Sequence, residues 1–138
     1  MASEHRDYAG TPLPKKLGIR EASRVLVTGA PGGFDLGPLP GGVRVLGRAG
    51  RPIDVALVFV TRERDLRARF ASLASVLDPA GRLWVAWPKK ASGLATDLDF
   101  GTVQRIGLDA GLVDNKSASI TDAFQGVQFV YRLADRPR

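Results

Sequence analysis

The sequence has 138 residues, 44% of them hydrophobic and 25% charged, which is typical of one globular domain that buries its own core. It has no cysteine and a single histidine, His5, which excludes disulfides, thiolate metal sites and histidine-based triads, and we predict no metal site. The net charge of +6 suggests an anionic partner, although fifteen of the twenty basic residues are dispersed arginines, which the base composition of a genome can also produce. The polar start and the lack of a long apolar run predict a cytoplasmic protein.

The first elements are an arm and a short helix. Residues 1–10 are polar, and we expect them to form a mobile arm. The stretch TPLPKKLG predicts a helix that Thr11 caps and Gly18 ends. Lys15 and Lys16 lie in the last turn of this helix, where its dipole favours positive charge.

Three strands are predicted next. RVLVTGAPGGF begins with a buried strand over 25–27 that opens into a glycine-containing loop, as nucleotide-type α/β folds commonly start. VRVLGR at 43–48 predicts a short second strand. DVALVFV at 54–60 is apolar at nearly every position, which indicates a central parallel strand covered on both faces.

An amphipathic helix then runs from Thr61, as its N-cap, to Leu77, and it ends at Asp78 and Pro79. The strand that follows, RLWVAWP at 82–88, is apolar on both faces. Its two tryptophans are therefore predicted to be core residues rather than stacking platforms.

The last third of the chain predicts a helix and two strands. The helix starts at a Thr96 N-cap, ends at Gly111 and is weakened by two internal glycines. LVDNKSASI at 112–120 and GVQFVYRL at 126–133 are close enough in sequence to form an antiparallel pair.

This alternation of strands and helices predicts an α/β, Rossmann-like fold: a mostly parallel sheet of about six strands, helices on both faces and a C-terminal antiparallel strand pair. We place the domain at 11–133 and a tail at 134–138.

The order of strands and helices resembles a shortened class I S-adenosylmethionine-dependent methyltransferase. LGIREASRVLVTGAPGG resembles the entry into its first strand, and DVALVFVTRERDLRARFASLASVLDPAGRLWVAW resembles a later strand, helix and turn. The resemblance implies S-adenosylmethionine as cofactor and one missing βα unit.

A second resemblance covers nearly the whole chain. The motifs GTPLPKKLGI, LWVAWPKKASG and GLVDNK are similar to those of a small bacterial family of unknown function. That family has no established activity, so the resemblance implies kinship and assigns no catalytic residue.

Three positions depart from the methyltransferase pattern. Pro31 lies inside the glycine loop, and VTRE at 60–63 replaces the Asn/Asp-Pro-Pro-aromatic turn of many amine methyltransferases. Arg48 stands at the end of the second strand, where that fold uses an acid to accept the ribose hydroxyls. Arginine has no acceptor, although it can pair with phosphate. The sequence therefore favours a chain without catalysis.

Ligands of open α/β sheets bind outside the carboxyl ends of the strands, and two lysines follow the tryptophan-containing strand at such an end. We therefore predict an anion site there. The candidate ligand-binding residues are Lys89, Lys90, Ser92, Gly29, Gly32, Gly33, Thr61 and Arg62, and weaker candidates are Lys15, Lys16, Arg48, Asn115 and Lys116. We expect one lysine of the pair to face the cleft and the other solvent. Alternatively, both solvate the strand end, lie over Trp87, or pair with Asp97 and Asp99.

These observations favour an uncharacterised, non-catalytic domain that binds an anionic small molecule or a macromolecular partner at the carboxyl ends of its sheet. The first alternative is a degenerate or divergent S-adenosylmethionine-dependent methyltransferase. The second is a nucleic-acid-binding module, which only the basic charge supports, because the sequence has no RNA-recognition motif, zinc finger or clear recognition helix.

Overall fold

The structure is a computed structural model that describes residues 10–48 and 52–135. Its helices are α1 (Leu13–Leu17), α2 (Glu63–Val76) and α3 (Phe100–Asp109), and its strands are β1 (Arg24–Thr28), β2 (Arg44–Leu46), β3 (Ile53–Phe59), β4 (Leu77–Pro88), β5 (Leu112–Ser119) and β6 (Phe124–Tyr131). Residues 1–9 of the predicted arm, with His5, and 136–138 of the predicted tail lie outside the described residues. Within the described part, no helix has the length and apolar character needed to cross a membrane.

The described strands join in one sheet, in the order β2-β1-β3-β4-β6-β5. β2, β1, β3 and β4 pair in parallel, whereas β6 runs antiparallel to both β4 and β5. This confirms the predicted six-stranded, mostly parallel sheet with an antiparallel pair near the C-terminus. The carboxyl ends of β1, β3, β4 and β5 consequently meet at one edge, which we call the carboxyl rim.

The two long helices, α2 and α3, cover one face of the sheet. Leu66 and Phe70 of α2 and Val103 of α3 are buried there with alternate residues of β3 and β4. The Phe70 ring meets the Phe129 ring of β6 edge to face, with centroids 5.3 Å apart and planes at 88°. Such a pair stabilises the contact by about 0.5–1.5 kcal/mol beyond its buried area.

The opposite face is covered by the short helix α1 and by the irregular segment between β1 and β2. Trp84 is fully buried beneath α1, and its indole N–H donates to the carbonyl of Leu17 at 3.1 Å. Phe34, in the irregular segment, packs edge to face on Phe59 of β3 at 4.9 Å. Trp87 points to the other face and is 2% exposed, so the prediction that both tryptophans are core residues is confirmed.

All three helices begin at residues other than those predicted; the start of α3 is described with the candidate site. α1 has Pro12 rather than Thr11 at its N-cap, and no side chain caps it. Gly18 ends this helix in the left-handed conformation, as predicted. α2 has Arg62 rather than Thr61 at its N-cap, because a carboxylate from a distant segment, described below, bonds to its first N–H group.

Candidate functional site

A cleft of about 840 Å³ opens at the carboxyl rim beside β4, β5 and β6, and we call it the rim cleft. Its volume lies within the range of small-molecule sites. Its apolar lining residues are Trp87, Pro88, Leu98, Phe100, Ala118, Gly126 and Val127. Its polar and charged lining residues are Lys16, Lys89, Lys90, Thr96, Asp99, Ser117, Ser119 and Gln125.

Two lysines from distant parts of the chain converge on one residue of this cleft. Lys89 follows β4 directly, and its ammonium group donates to the hydroxyl of Ser119 at 2.7 Å. Lys16 belongs to α1, and its ammonium group donates to the backbone carbonyl of Ser119 at 3.4 Å. An ammonium group has three N–H donors, of which each of these contacts uses one. The arrangement therefore leaves further donor capacity at the carboxyl end of β5.

The charge of the rim cleft is unbalanced. Lys16, Lys89 and Lys90 line it together with one carboxylate, that of Asp99. Across residues 10–48 and 52–135, the ion pair within 4.0 Å is that of Arg67 and Glu63 on α2, so the three lysines take part in none. The lining consequently carries an excess of positive charge.

Both consecutive lysines line the rim cleft, whereas the sequence predicted only one of them there. The side chain of Lys89 is partly buried, and that of Lys90 is exposed in the 3₁₀ turn Lys90–Ser92. The proposed pairing of the lysines with Asp97 and Asp99 is replaced for Lys89 by the bond to Ser119. The two lysines therefore differ in how firmly they are positioned.

Asp99 is the N-cap of α3, where its carboxylate accepts from the backbone N–H of Thr102 at 2.8 Å. The hydrogen bonds from Thr102, aided by the positive charges of Arg105 and Lys90, hold the pKa of Asp99 below its ordinary value of 3.8. The helix thus starts at Asp99, and the predicted N-cap, Thr96, is wrong, because Asp99 is the side chain that reaches the open N–H groups of the first turn.

Thr96 and Asp97 instead tie the segment before α3 to the start of α2. The hydroxyl of Thr96 donates to the carbonyl of Thr61 at 2.6 Å. The carboxylate of Asp97 accepts from the backbone N–H of Glu63 at 2.7 Å and so supplies the capping bond of α2. These bonds hold the Thr96 wall of the rim cleft beside the carboxyl end of β3. Arg62 is exposed, and neither it nor Thr61 lines the cleft.

Ser92 shapes the turn after β4 and does not line the rim cleft. Its hydroxyl donates to the Lys89 carbonyl at 2.7 Å and accepts from the N–H of Leu94 at 3.1 Å. Both contacts stay within the turn. The structure therefore gives Ser92 a local role in holding the backbone that carries the two lysines.

The predicted glycines lie at the end of β1, apart from the rim cleft. Gly29 has a φ of +75°, and a Cβ there would lie 2.4 Å from the carbonyl oxygen of Phe59, so only glycine fits. A Cβ atom added at Gly32 or at Gly33 would have no other atom within 4 Å. The segment 29–43 contains no helix, so no helix N-terminus stands behind this loop.

The resemblance implies S-adenosylmethionine as cofactor, but the residues at this end of the sheet do not fit it. Arg48 is exposed beyond the end of β2, where the resemblance implies an acid, and arginine has no acceptor for ribose hydroxyls. The loop after β1 leads into irregular backbone instead of a helix whose N–H groups could meet a carboxylate. Across the described ranges, no group of three or more His, Asp or Glu side chains is placed to hold a metal ion.

The weaker candidates have divided roles. Lys15 is exposed and does not line the rim cleft, whereas Lys16, its neighbour on α1, does. Lys116 donates to the carbonyl of Lys16 at 3.2 Å and so holds α1 against β5. Asn115 accepts from Gln128 at 2.9 Å on the neighbouring strand. Lys116 and Asn115 therefore support the elements around the cleft.

The sequence analysis did not single out Ser119, Gln125, Leu98 or Phe100. Ser119 ends the first strand of the predicted antiparallel pair, and a strand parallel to β4 must end at the same rim, so the topology could have indicated it. Leu98 and Phe100 lie around the start of α3, where the sequence placed the helix boundary too early. The position of Leu98 and Phe100 could be predicted only with the correct N-cap of α3.

Comparison with solved structures assigns the fold. The chain has the fold of class I S-adenosylmethionine-dependent methyltransferases. A SAM-dependent methyltransferase from Aquifex aeolicus matches with a TM-score of 0.58 and 16% identity, over 94% of this chain and 97% of that one. A protein from Thermoplasma acidophilum, provisionally described as a methyltransferase, matches with a TM-score of 0.56 and 11% identity, over 87% of this chain and 73% of that one.

Magnesium protoporphyrin IX methyltransferase from Synechocystis PCC 6803 with bound SAH matches at a TM-score of 0.49 and 15% identity, over 68% of this chain and 52% of that one. The chain thus spans about half the length of that enzyme. No family model matches the sequence. No curated protein matches it either.

Proposed function

We propose that this chain binds a small anionic molecule in the rim cleft and does so without catalysing methyl transfer. The observation that carries the proposal is the convergence of the Lys16 and Lys89 ammonium groups on Ser119. Both groups donate to neutral oxygen atoms, and an incoming anion would supply the negative charge that the lining does not balance.

The physical reason is that like charges held together in a partly enclosed site repel each other less when an anion lies between them. A hydrogen bond between an ammonium group and an anion contributes about 1.5–3 kcal/mol, which corresponds to at least about a tenfold change in affinity. The Ser119 hydroxyl accepts from Lys89 and donates to the carbonyl of Thr121 at 3.2 Å, so the two ammonium groups are the donors for the anion. Lys90 is exposed, so its contribution is screened by water and salt.

A divergent S-adenosylmethionine-dependent methyltransferase is the second candidate, and the fold match to the Aquifex aeolicus enzyme over nearly all of both chains favours it. Against it stand Arg48 and the helix-free segment after β1. Membership of the small bacterial family, and a macromolecular partner at the same rim, stay predictions that the sequence motifs and the charge support.

A thermal-shift and calorimetry series tests the proposal. The probes are S-adenosylmethionine, ATP, coenzyme A, glucose 6-phosphate and decanoate, with glucose as the uncharged counterpart of its phosphate. The variants are Lys89→Gln, Asp99→Asn and, as the matched control outside the cleft, Lys15→Gln. We expect at least one anion to stabilise the wild type, Lys89→Gln to bind it about tenfold more weakly, and Lys15→Gln to bind it equally well.

Asp99→Asn should act in the opposite direction, because it removes the one carboxylate that lines the cleft. We expect the same anion to bind about threefold more tightly to this variant at moderate salt. No stabilisation by any anion, or equal affinity in the wild type and Lys89→Gln, would overturn the proposal. Saturable binding of S-adenosylmethionine that Lys89→Gln leaves unchanged would establish the second candidate instead.

A further inference from the structure

The rim cleft has one charged end and one apolar side. Lys16, Lys89 and Ser119 lie at the end next to β5. Trp87, Leu98 and Val127, which are 2%, 7% and 2% exposed, form the apolar side. A ligand that fills this cleft therefore contacts apolar side chains as well as ammonium groups.

Phe100 makes this asymmetry more pronounced. It is the first residue of α3, it lines the rim cleft, and 47% of its surface is exposed to solvent. A large aromatic side chain left half exposed beside a cleft gains from covering by an apolar partner. A bare inorganic anion would leave the Phe100 ring in contact with water.

The donors in the cleft also favour a small negative charge. Phosphate groups are commonly held by arginine forks or by the open N–H groups of a helix N-terminus. The rim cleft has no arginine in its lining, and the N-terminus of α3 is already capped by Asp99, whose carboxylate would repel a second anion. A singly charged group near Lys89 meets less of that repulsion than a doubly charged phosphate does.

We infer that the ligand of the rim cleft is a carboxylic acid with an apolar body, its carboxylate on Lys89 and Lys16 and its body against Trp87, Leu98 and Phe100. This inference rests on the proposed function and narrows its ligand class. Two ammonium groups match the two oxygen atoms of one carboxylate. The apolar side then supplies affinity in proportion to the surface that the body buries.

Calorimetry with decanoate, kept below its micelle concentration, tests the inference against acetate, decanol and inorganic phosphate. We expect decanoate to bind saturably and acetate to bind at least about fifteenfold more weakly, as the loss of two to three buried methylene groups produces. Decanol, which has the body without the charge, should bind about tenfold more weakly than decanoate to the wild type. It should bind equally to the wild type and to Lys89→Gln.

Phe100→Ala, with Leu108→Ala as its control, tests the apolar side. Leu108 lies on the same helix, is 41% exposed and does not line the cleft. We expect Phe100→Ala to weaken decanoate binding about fivefold while Leu108→Ala leaves it unchanged. Inorganic phosphate should bind poorly to the wild type and to both variants.

The failures of the two proposals are distinguishable. A hydrophilic anion that binds through Lys89 while decanoate does not bind would overturn the carboxylic-acid inference and leave the anion site standing. Decanoate binding that neither Lys89→Gln nor Phe100→Ala weakens would be association elsewhere and would also overturn the inference. Absence of binding by every anion would overturn both.

Discussion

Lys16 reaches the rim cleft because two hydrogen bonds fix the backbone of α1 on the sheet. The carbonyl of Lys16 accepts from Lys116, and that of Leu17 accepts from Trp84. Leu17 is fully buried, so its carbonyl depends on the indole for a partner. Trp84 therefore contributes to the site indirectly, by holding the helix that carries one of its ammonium groups.

Asp99 gives the clearest expectation for pH dependence. Its pKa in the folded protein lies below the ordinary 3.8, so its stabilising contribution is complete above that value and is lost as pH falls through the lower folded pKa. Asn caps helices as well as Asp, so Asp99→Asn removes only the charge. We expect the variant to be less stable than the wild type at about pH 7, and we expect this difference to shrink as the pH falls below 3.8.

Urea unfolding at neutral pH and at a series of acid pH values measures this difference, which should be small because the carboxylate is exposed to solvent. Arg105→Gln serves as a comparison, since Arg105 acts on Asp99 only through its charge and the main hydrogen bonds come from Thr102. A gap between the wild type and Asp99→Asn that stays constant from neutral to acid pH would contradict the assignment.

At the scale of elements, the two glycines of α3 have opposite roles. A Cβ at Gly107 would lie 2.1 Å and 2.5 Å from ring atoms of Phe129, so this glycine lets the helix approach β6 closely. At Gly101 the nearest atom, on Asp99, lies at 3.7 Å, an ordinary contact distance. Helix propensity alone would favour alanine at both positions by about 1 kcal/mol or less.

We therefore expect Gly107→Ala to destabilise the protein by about 1–3 kcal/mol through overpacking, despite its better helix propensity. Gly101→Ala should instead stabilise it by up to about 0.5–1 kcal/mol, because the added methyl group meets no close neighbour. The midpoint of urea unfolding, measured for both variants and the wild type, distinguishes these two effects. Similar shifts of the same sign in both variants would show that packing on Phe129 is not the reason for Gly107.

The sequence could predict the strands and the order of elements because each strand carries its own pattern. The continuous apolar run of β3 and the alternating faces of β4 are local features, and both proved correct. The helix caps were less accurate, because Asp97 caps α2 from a segment 34 residues away. Such a bond has no local pattern, and Thr61 and Thr96 were reasonable N-caps by composition alone.

At the scale of the whole molecule, the sequence predicted where a site should lie but not which residues form it. The position of the carboxyl rim follows from the parallel sheet, and Lys89 and Lys90 directly follow a strand in sequence. The rim and the two lysines could therefore be predicted. Ser119 and Lys16 join them only once β6 is inserted between β4 and β5 and α1 crosses the sheet face. The glycine loop, expected at the same site, lines a different part of the rim.

The distribution of basic residues argues against a nucleic-acid site at the whole-molecule scale. Within the described residues, Arg24 and Arg44 begin β1 and β2 at the amino-terminal edge of the sheet, Arg64 and Arg69 are exposed on α2, and Lys89 and Lys90 lie at the opposite rim. Tight duplex binding needs several cations along one surface, each releasing a counterion. We therefore expect a duplex to bind with a Kd weaker than about 10 µM at about 0.15 M salt.

Fluorescence anisotropy with a labelled duplex, titrated at several salt concentrations, checks this expectation. Residual binding at low salt should be equal in the wild type, in Lys89→Gln and in Lys15→Gln, because diffuse charge attracts the duplex without using the rim cleft. Submicromolar binding that weakens steeply with salt and that Lys89→Gln reduces would instead make the rim a nucleic-acid surface. Decanoate carries one charge and no condensed counterions, so the salt dependence of its binding should come from screening and be far shallower than that of any duplex.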